Sequence, residues 1–284
     1  MQTRFFLENF KWVLVEDYAD RLTAMVKFTV KLAWGKTLSN QLRECSINIY
    51  EGIVGDFIGD VLHPGGLNLT AKMAEIAKID GASTVLDLAS GKGSTAKFLA
   101  ENFGCNVVGL DLSANLVKVF NKGSAGLIFP KIEFTIGDAE AMPYIDSCFD
   151  VVMCECAFNL FQNKRRVLGE IYRVLKCGGR FALADIVLKK DMPAELKTKL
   201  TFALCVAGAE TLSRLSELLR SAGFAVVQVE DHSEKLVDLG IKLLFSDSFT
   251  LGVEDQGVLE RLFNEDLLSY VLIVSHKPGL VREV

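Results

Sequence analysis

Thr84-Val85-Leu86-Asp87-Leu88-Ala89-Ser90-Gly91-Lys92-Gly93 is the stretch that decides the fold. After Thr84, its next four residues are apolar apart from the Asp87 carboxylate. Such a run, bounded by turn residues, fits a strand buried on both faces, as strands of a parallel sheet are. The run then breaks into a Gly-x-Gly turn, where glycine permits left-handed backbone and close approach to a ligand. Ala96, Leu99, Ala100 and Phe103 follow at i, i+3, i+4 and i+7, which is one apolar helix face. Strand, glycine turn and helix in this order form the first unit of an α/β fold.

Working outward, the same alternation repeats. Asn106–Leu110 reads as the second strand and 113–121 as a helix. Ile132–Ile136 and Phe149–Met153 read as the third and fourth strands. Val167, Leu168, Ile171, Val174 and Leu175 form a helical stripe that Cys177-Gly178-Gly179 ends, and Arg180–Asp185 is the fifth strand. Leu212, Leu215, Leu218 and Leu219 line a helix that stops at Gly223. Phe224–Val229 and Tyr270–Val274 are the last two strands, and 236–268 reads as an insertion before the final one. The pattern predicts a Rossmann-like, doubly wound sheet of seven strands with right-handed crossovers. Upstream, a helix is expected over 70–78, preceded by the turn His63-Pro64-Gly65-Gly66. Val26, Phe28, Val30, Leu32 and Trp34 alternate with Lys27, Thr29 and Lys31, as in an amphipathic strand. Residues 1–66 are expected to form an N-terminal cap on the acceptor side, and 67–284 the cofactor domain.

In open α/β sheets, ligands lie beyond the carboxyl ends of the strands, where the strand order reverses. The glycine turn and the free N–H groups of the next helix suit an anionic group there. Asp111 ends the second strand, 24 residues after Asp87, and its carboxylate can accept both ribose hydroxyl protons. Asp111 alone could equally cap the helix that Ser113 begins. Taken together, turn and acid point to a nucleoside cofactor. A nicotinamide dinucleotide would ask for a third glycine where Ala96 stands.

The net charge of -5 excludes a basic stripe for nucleic-acid backbones. No uncharged run reaches the roughly 18 residues that a membrane span needs, and a signal peptide's layout is missing at Met1–Phe5. Seven cysteines at irregular spacing argue for reduced thiols and a cytoplasmic protein rather than a disulfide framework. A zinc site is disfavoured, because there is no C-x-x-C pair.

Over residues 67–280 the sequence resembles the class I methyltransferases. Asp87–Gly93 is similar to their acidic-x-Gly-x-Gly-x-Gly motif, with Ala89 in place of the first glycine. Gly137-Asp138-Ala139-Glu140 with Met142-Pro143 resembles their adenine-binding motif, and Leu175–Gly179 their turn before strand five. The resemblance implies S-adenosylmethionine as methyl donor and S-adenosylhomocysteine as product. Its contacts would come from Asp87, Ala89, Ser90, Gly91, Gly93, Asp111, Leu112, Asp138, Ala139 and Cys154. It places a small-molecule acceptor near the end of strand four. There, Cys156–Leu160 and Cys205–Ala209 resemble segments of the arsenite methyltransferases, whose thiols bind trivalent arsenic.

Cys156, Cys205, Cys154 and Glu155 are the candidate catalytic residues. If the stretch is extended, Cys154 and Cys156 share a face. Cys105, Cys148 and Cys177 read as buried core thiols. Glu155 is either a base for a hydroxyl acceptor or a solvent-facing strand end. His63 is either a pocket or a turn residue, Cys45 a loose further thiol, His232 an exposed loop residue, and Lys164-Arg165-Arg166 a solvated helix start. A quinol or other carbon or oxygen acceptor, a non-catalytic cofactor-binding module and a nicotinamide dehydrogenase remain as alternatives.

Overall fold

The computed structural model describes residues 63–117, 132–198, 200–201, 204–244 and 253–279. The Val26–Trp34 alternation and Cys45 lie outside these residues, as do most of the proposed cap and the end of the helix expected over 113–121.

The strands are β1 (Thr84–Leu88), β2 (Asn106–Asp111), β3 (Ile132–Ile136), β4 (Phe149–Glu155), β5 (Leu175–Leu188), β6 (Ala225–Asp231) and β7 (Leu268–His276). They form one seven-stranded sheet in the order β3-β2-β1-β4-β5-β7-β6. β1 pairs in parallel with β2 and β4, and β7 runs antiparallel between β5 and β6. The helices are α1 (Gly66–Ile76), α2 (Ser94–Phe103), α3 (Lys164–Val174), α4 (Leu212–Ser221), α5 (Ser233–Leu244) and α6 (Val253–Asn264). No helix among the described residues is long and apolar enough to cross a membrane.

Two apolar cores cover the two faces of the sheet. On one, Leu69 and Met73 of α1 and Ala96 and Leu99 of α2 pack on Val85, Val107, Val151 and Met153. Leu236 of α5 and Leu259 and Leu262 of α6 extend this core over β7. On the other, Val167, Leu168 and Ile171 of α3 and Leu215, Leu218 and Leu219 of α4 pack on Leu86, Leu88, Val152 and Leu183. The predicted three-layer architecture is therefore present, because the stripes read from periodicity are the buried ones.

Several boundaries differ from the sequence reading. The first helix starts at Gly66 rather than Thr70, since Gly65 takes φ 82 and lets the chain turn directly into α1. α3 ends at Val174. Leu175 is already extended and opens β5, so it buries as a strand residue and not as part of the helical stripe. Two helices, α5 and α6, are described between β6 and β7.

Cys177 is exposed and Cys148 only partly buried, against the expectation of core thiols, while Cys105 is buried. The reason for Cys177 is its place beside the left-handed Gly178 in the turn that re-aims the chain along β5. His232 is not exposed. Its side chain is 12% accessible, and its Nε2 lies 2.9 Å from Glu230 Oε2. Lys164 is half-buried and held below its ordinary range by desolvation, with Glu210 and Asp185 pulling the other way. Arg165 and Arg166 are exposed as expected.

Candidate active site

β1 is the strand at which the order reverses: β2 and β3 lie to one side of it, β4 and β5 to the other. Leu88 registers with Leu110 and with Cys154, so the ends of β1, β2 and β4 lie level. The glycine turn leaves β1 at this level. The backbone N–H groups of Ala89 and Ser90 donate to Leu110 O at 2.8 and 3.2 Å, which ties the turn to β2. Gly91 and Gly93 take φ 55 and 80, and Ala89 takes φ 60. Ala89 thus occupies the left-handed region at a cost of about 1–2 kcal/mol that glycine would not incur. Its departure from the family motif is therefore a matter of backbone conformation and not only of size.

Asp111 joins two loops. Its Oδ2 accepts from Gly91 N at 2.8 Å and its Oδ1 from Ser113 N at 2.8 Å. The helix-capping role weighed for Asp111 falls to Ser113, whose Oγ accepts from Leu116 N at 3.1 Å. At the next strand end, Gly137 N donates to Asp111 O at 2.9 Å, and Asp138 Oδ1 accepts from Glu140 N at 2.9 Å. Asp111, exposed Leu112, Asp138 and buried Ala139 thus share one end of the sheet.

Asp87 is 3% exposed, and its Oδ2 has no hydrogen-bond partner. Burial drives its carboxyl well above the usual range, and Glu155 and Asp111 add to that. Ser90 Oγ is likewise buried and without a partner. Unsatisfied buried polar atoms cost about 1–3 kcal/mol each, so two of them beside a glycine turn mark a place for a polar ligand.

Glu155 ends β4 with a side chain only 5% exposed, which corrects the solvent-facing reading. Thr70 Oγ1 of α1 donates to its Oε1 at 3.0 Å, and Thr95 Oγ1 of α2 to its Oε2 at 2.7 Å. His63, also buried, places Nε2 at 3.6 Å from Oε2. Glu155 therefore fastens both helices to the strand, and hydroxyl donors already occupy its oxygens. Sequence reasoning missed Thr70 and Thr95, which carry no motif of their own.

Cys154 and Cys156 do not share a face. Cys154 packs with Leu86, Leu88 and Leu183 on the α3–α4 side, whereas Cys156 packs with Met153 and Ala184 on the α1–α2 side. The alternation ends because Cys156 leaves the extended region and takes φ 52. Cys205, with φ 60, comes to it from the loop after β5 and donates from Sγ to Cys156 O at 3.0 Å. Both thiols are buried. The neighbouring Cys205 thiol and desolvation raise Cys156 well above the ordinary thiol range, and burial does the same for Cys154. Among the described residues no disulfide and no metal-holding cluster occurs.

A family model described as a methyltransferase domain matches residues 79–223, half of the chain. The chain belongs to the methyltransferase-domain family. It is 33% identical over 154 residues to an arsenite methyltransferase of Halobacterium salinarum, a match covering 53% of this chain and 39% of that protein. The chain thus spans well under half the length of that relative. A structure of the [4+2]-cyclase SpnF superposes with TM-score 0.69 at 22% identity, covering 86% of this chain and 98% of that one. Phosphoethanolamine N-methyltransferase 2 of Haemonchus contortus, solved with phosphomonomethylethanolamine and S-adenosylhomocysteine, gives TM-score 0.67 at 20% identity. That match covers 82% of this chain and 57% of the other. At these identities the two structures speak for the fold.

Proposed function

We propose that this chain moves a methyl group from S-adenosylmethionine to a small-molecule acceptor held at the ends of β4 and β5. The carrying observation is the Asp111 carboxylate, which bridges the glycine turn and the end of β2 at the strand-order reversal. When bound, S-adenosylmethionine supplies an electrophilic methyl on a sulfonium. The residues present fit that group. Asp111 would take the ribose hydroxyls, Leu112, Asp138 and Ala139 the adenine, and the Gly91–Gly93 turn with Ser90 and Asp87 the amino-acid end. The protein's part in such an in-line displacement is to hold the acceptor on the S–CH3 axis and exclude water. The test is calorimetric titration with S-adenosylhomocysteine. Wild type should bind, and Asp111→Ala should lose binding. Equal affinity in the two proteins would refute the assignment.

For the acceptor, the Cys156–Cys205 pair supports a soft, thiol-bound substrate, of which arsenite is the reading we favour. The likeness to an arsenite methyltransferase points the same way. Cys154 is placed in the opposite core, so the pair stands without it. Cys156→Ser and Cys205→Ser should each abolish arsenite methylation while leaving S-adenosylhomocysteine affinity within about threefold. Methylation that survives both substitutions would move the acceptor away from sulfur.

A further inference from the structure

The two cysteine-bearing loops come from different strands, and each is tied to β5 at one point: Cys156 N donates to Ala184 O at 2.8 Å, and Leu188 N donates to Glu210 O at 2.9 Å. Both cysteines have left-handed backbone, a conformation that persists in non-glycine residues only where the surroundings enforce it. The enforcing contacts converge on Asn159. Its backbone N donates to Asp185 Oδ2 at 3.2 Å, and its Nδ2 donates to Asp185 Oδ1 and to Ile186 O, both at 2.8 Å. Asp185 is fully buried, and its Oδ1 also accepts from Ile186 N at 2.7 Å. One side chain therefore fastens the loop after β4 to β5.

The backbone carbonyl of Asn159 meets the second loop. A Cβ on Gly208 would stand 2.1 Å from Asn159 O, so only glycine lets the Cys205 loop close against it. Within that loop, Val206 N and Ala207 N both donate to Thr201 O, at 2.7 and 2.9 Å. Val206 and Ala207 are thus tied to Thr201, and the Gly208–Asn159 approach sets how closely this part of the loop meets the loop after β4.

We infer that Asn159 is the positioning residue of the thiol pair, setting the approach of Cys156 to Cys205 through Asp185 on one side and the Gly208 contact on the other. The inference rests on the proposed role of the two thiols and names what builds their spacing. Asn159 is not itself proposed as a ligand of the acceptor. It acts by fixing the loop that carries one of them against the loop that carries the other.

Phenylarsine oxide serves as a ruler for the pair. It gives up its oxygen as water, taking the two thiol protons, and forms two As–S bonds with no change in oxidation state. The full-length, reduced chain should take up the reagent with two thiols lost per arsenic. The accompanying near-ultraviolet thiolate–arsenic absorption should vanish in Cys156→Ser. Asn159→Ala should weaken this bidentate uptake at least tenfold and leave S-adenosylhomocysteine affinity within about threefold. A merely structural role would instead lower both together with the melting temperature. Gly208→Ala, which pushes on the same contact from the other loop, should weaken uptake in the same selective way. Unchanged uptake in the two variants would overturn the inference. Wild type without bidentate uptake assignable to Cys156 would overturn the thiol-acceptor reading, and the inference with it.

Discussion

Gly109 lies in the middle of β2, directly beneath the glycine turn, where one added methyl group presses on two neighbours at once. Its register partner on β3 is Phe134. A Cβ at 109 would stand 2.4 Å from Phe134 Cε1, 2.6 Å from Cδ1 and 2.8 Å from Ser90 Oγ. All three lie below the distances that real carbon neighbours tolerate, so Gly109→Ala must displace the ring, the serine or both. Overpacking of this kind costs about 1–3 kcal/mol. For a domain of this size that corresponds to a fall in melting temperature of roughly 2–10 °C. The two contacts can be separated. Phe134→Leu in the Gly109→Ala background removes the offending ring atoms and should restore part of the lost stability. It should not restore cofactor affinity, because the methyl still presses on Ser90 and through it on the turn. The assay is differential scanning calorimetry of the parent, both single variants and the double variant, with S-adenosylhomocysteine titrations on each. Identical melting of Gly109→Ala and parent would refute the steric argument. Strictly additive losses in the double variant would refute the assignment to Phe134.

Arg173 donates to Met142 O at 3.1 Å, Tyr144 O at 2.7 Å and the carboxylates of Asp146 and Glu170, fastening the loop between β3 and β4 to α3. Arg173→Ala should therefore cost about 1–2 kcal/mol in urea unfolding, and a loss under 0.5 kcal/mol would contradict it. Burial pushes Asp185 from 3.8 up to about 7, with bonds from Ile186 and Asn159 opposing. The folded state therefore holds this proton more tightly than the unfolded chain. Stability from this group is full below about pH 4 and falls as pH rises through about 7, by on the order of 4 kcal/mol at most. Asp185→Asn should flatten that fall between pH 5 and 8, whereas parallel stability–pH curves for the two proteins would reject the account.

How far the molecule is legible in its sequence follows from the range of the interactions concerned. The Thr84–Leu88 strand, the Ala96–Phe103 stripe and the Val167–Val174 stripe are local patterns, and each became a buried element. The antiparallel place of β7 is a matter of strand order, which no local pattern encodes. Glu155 was open to misreading because its partners, Thr70 and Thr95, are 85 and 60 residues away. Asn159 and Gly208 fall in the Cys156–Leu160 and Cys205–Ala209 segments that the sequence singles out, but their contact joins two loops and no local pattern shows it. Cys154 and Cys156 take different faces for another reason. The alternation rule is sound while a strand stays extended, and β4 ends one residue before Cys156.

Six non-glycine residues among those described have left-handed backbone. Lys78, Ser147 and Asp266 are exposed turn residues, where the cost is easily relaxed. Ala89 instead follows β1 directly and Cys156 follows β4 directly, where it meets Cys205, and both cysteines are buried. At each of the three, glycine would remove about 1–2 kcal/mol of backbone cost. At Ala89 the substitution would lose only a methyl group, so Ala89→Gly should leave cofactor affinity within about threefold. At the two cysteines it would lose the sulfur. The two thiols thus sit in glycine-favoured conformations with Cys205 Sγ donating to Cys156 O, and Cys156→Ser and Cys205→Ser, which keep the backbone and nearly the volume, separate what sulfur does from the space it fills.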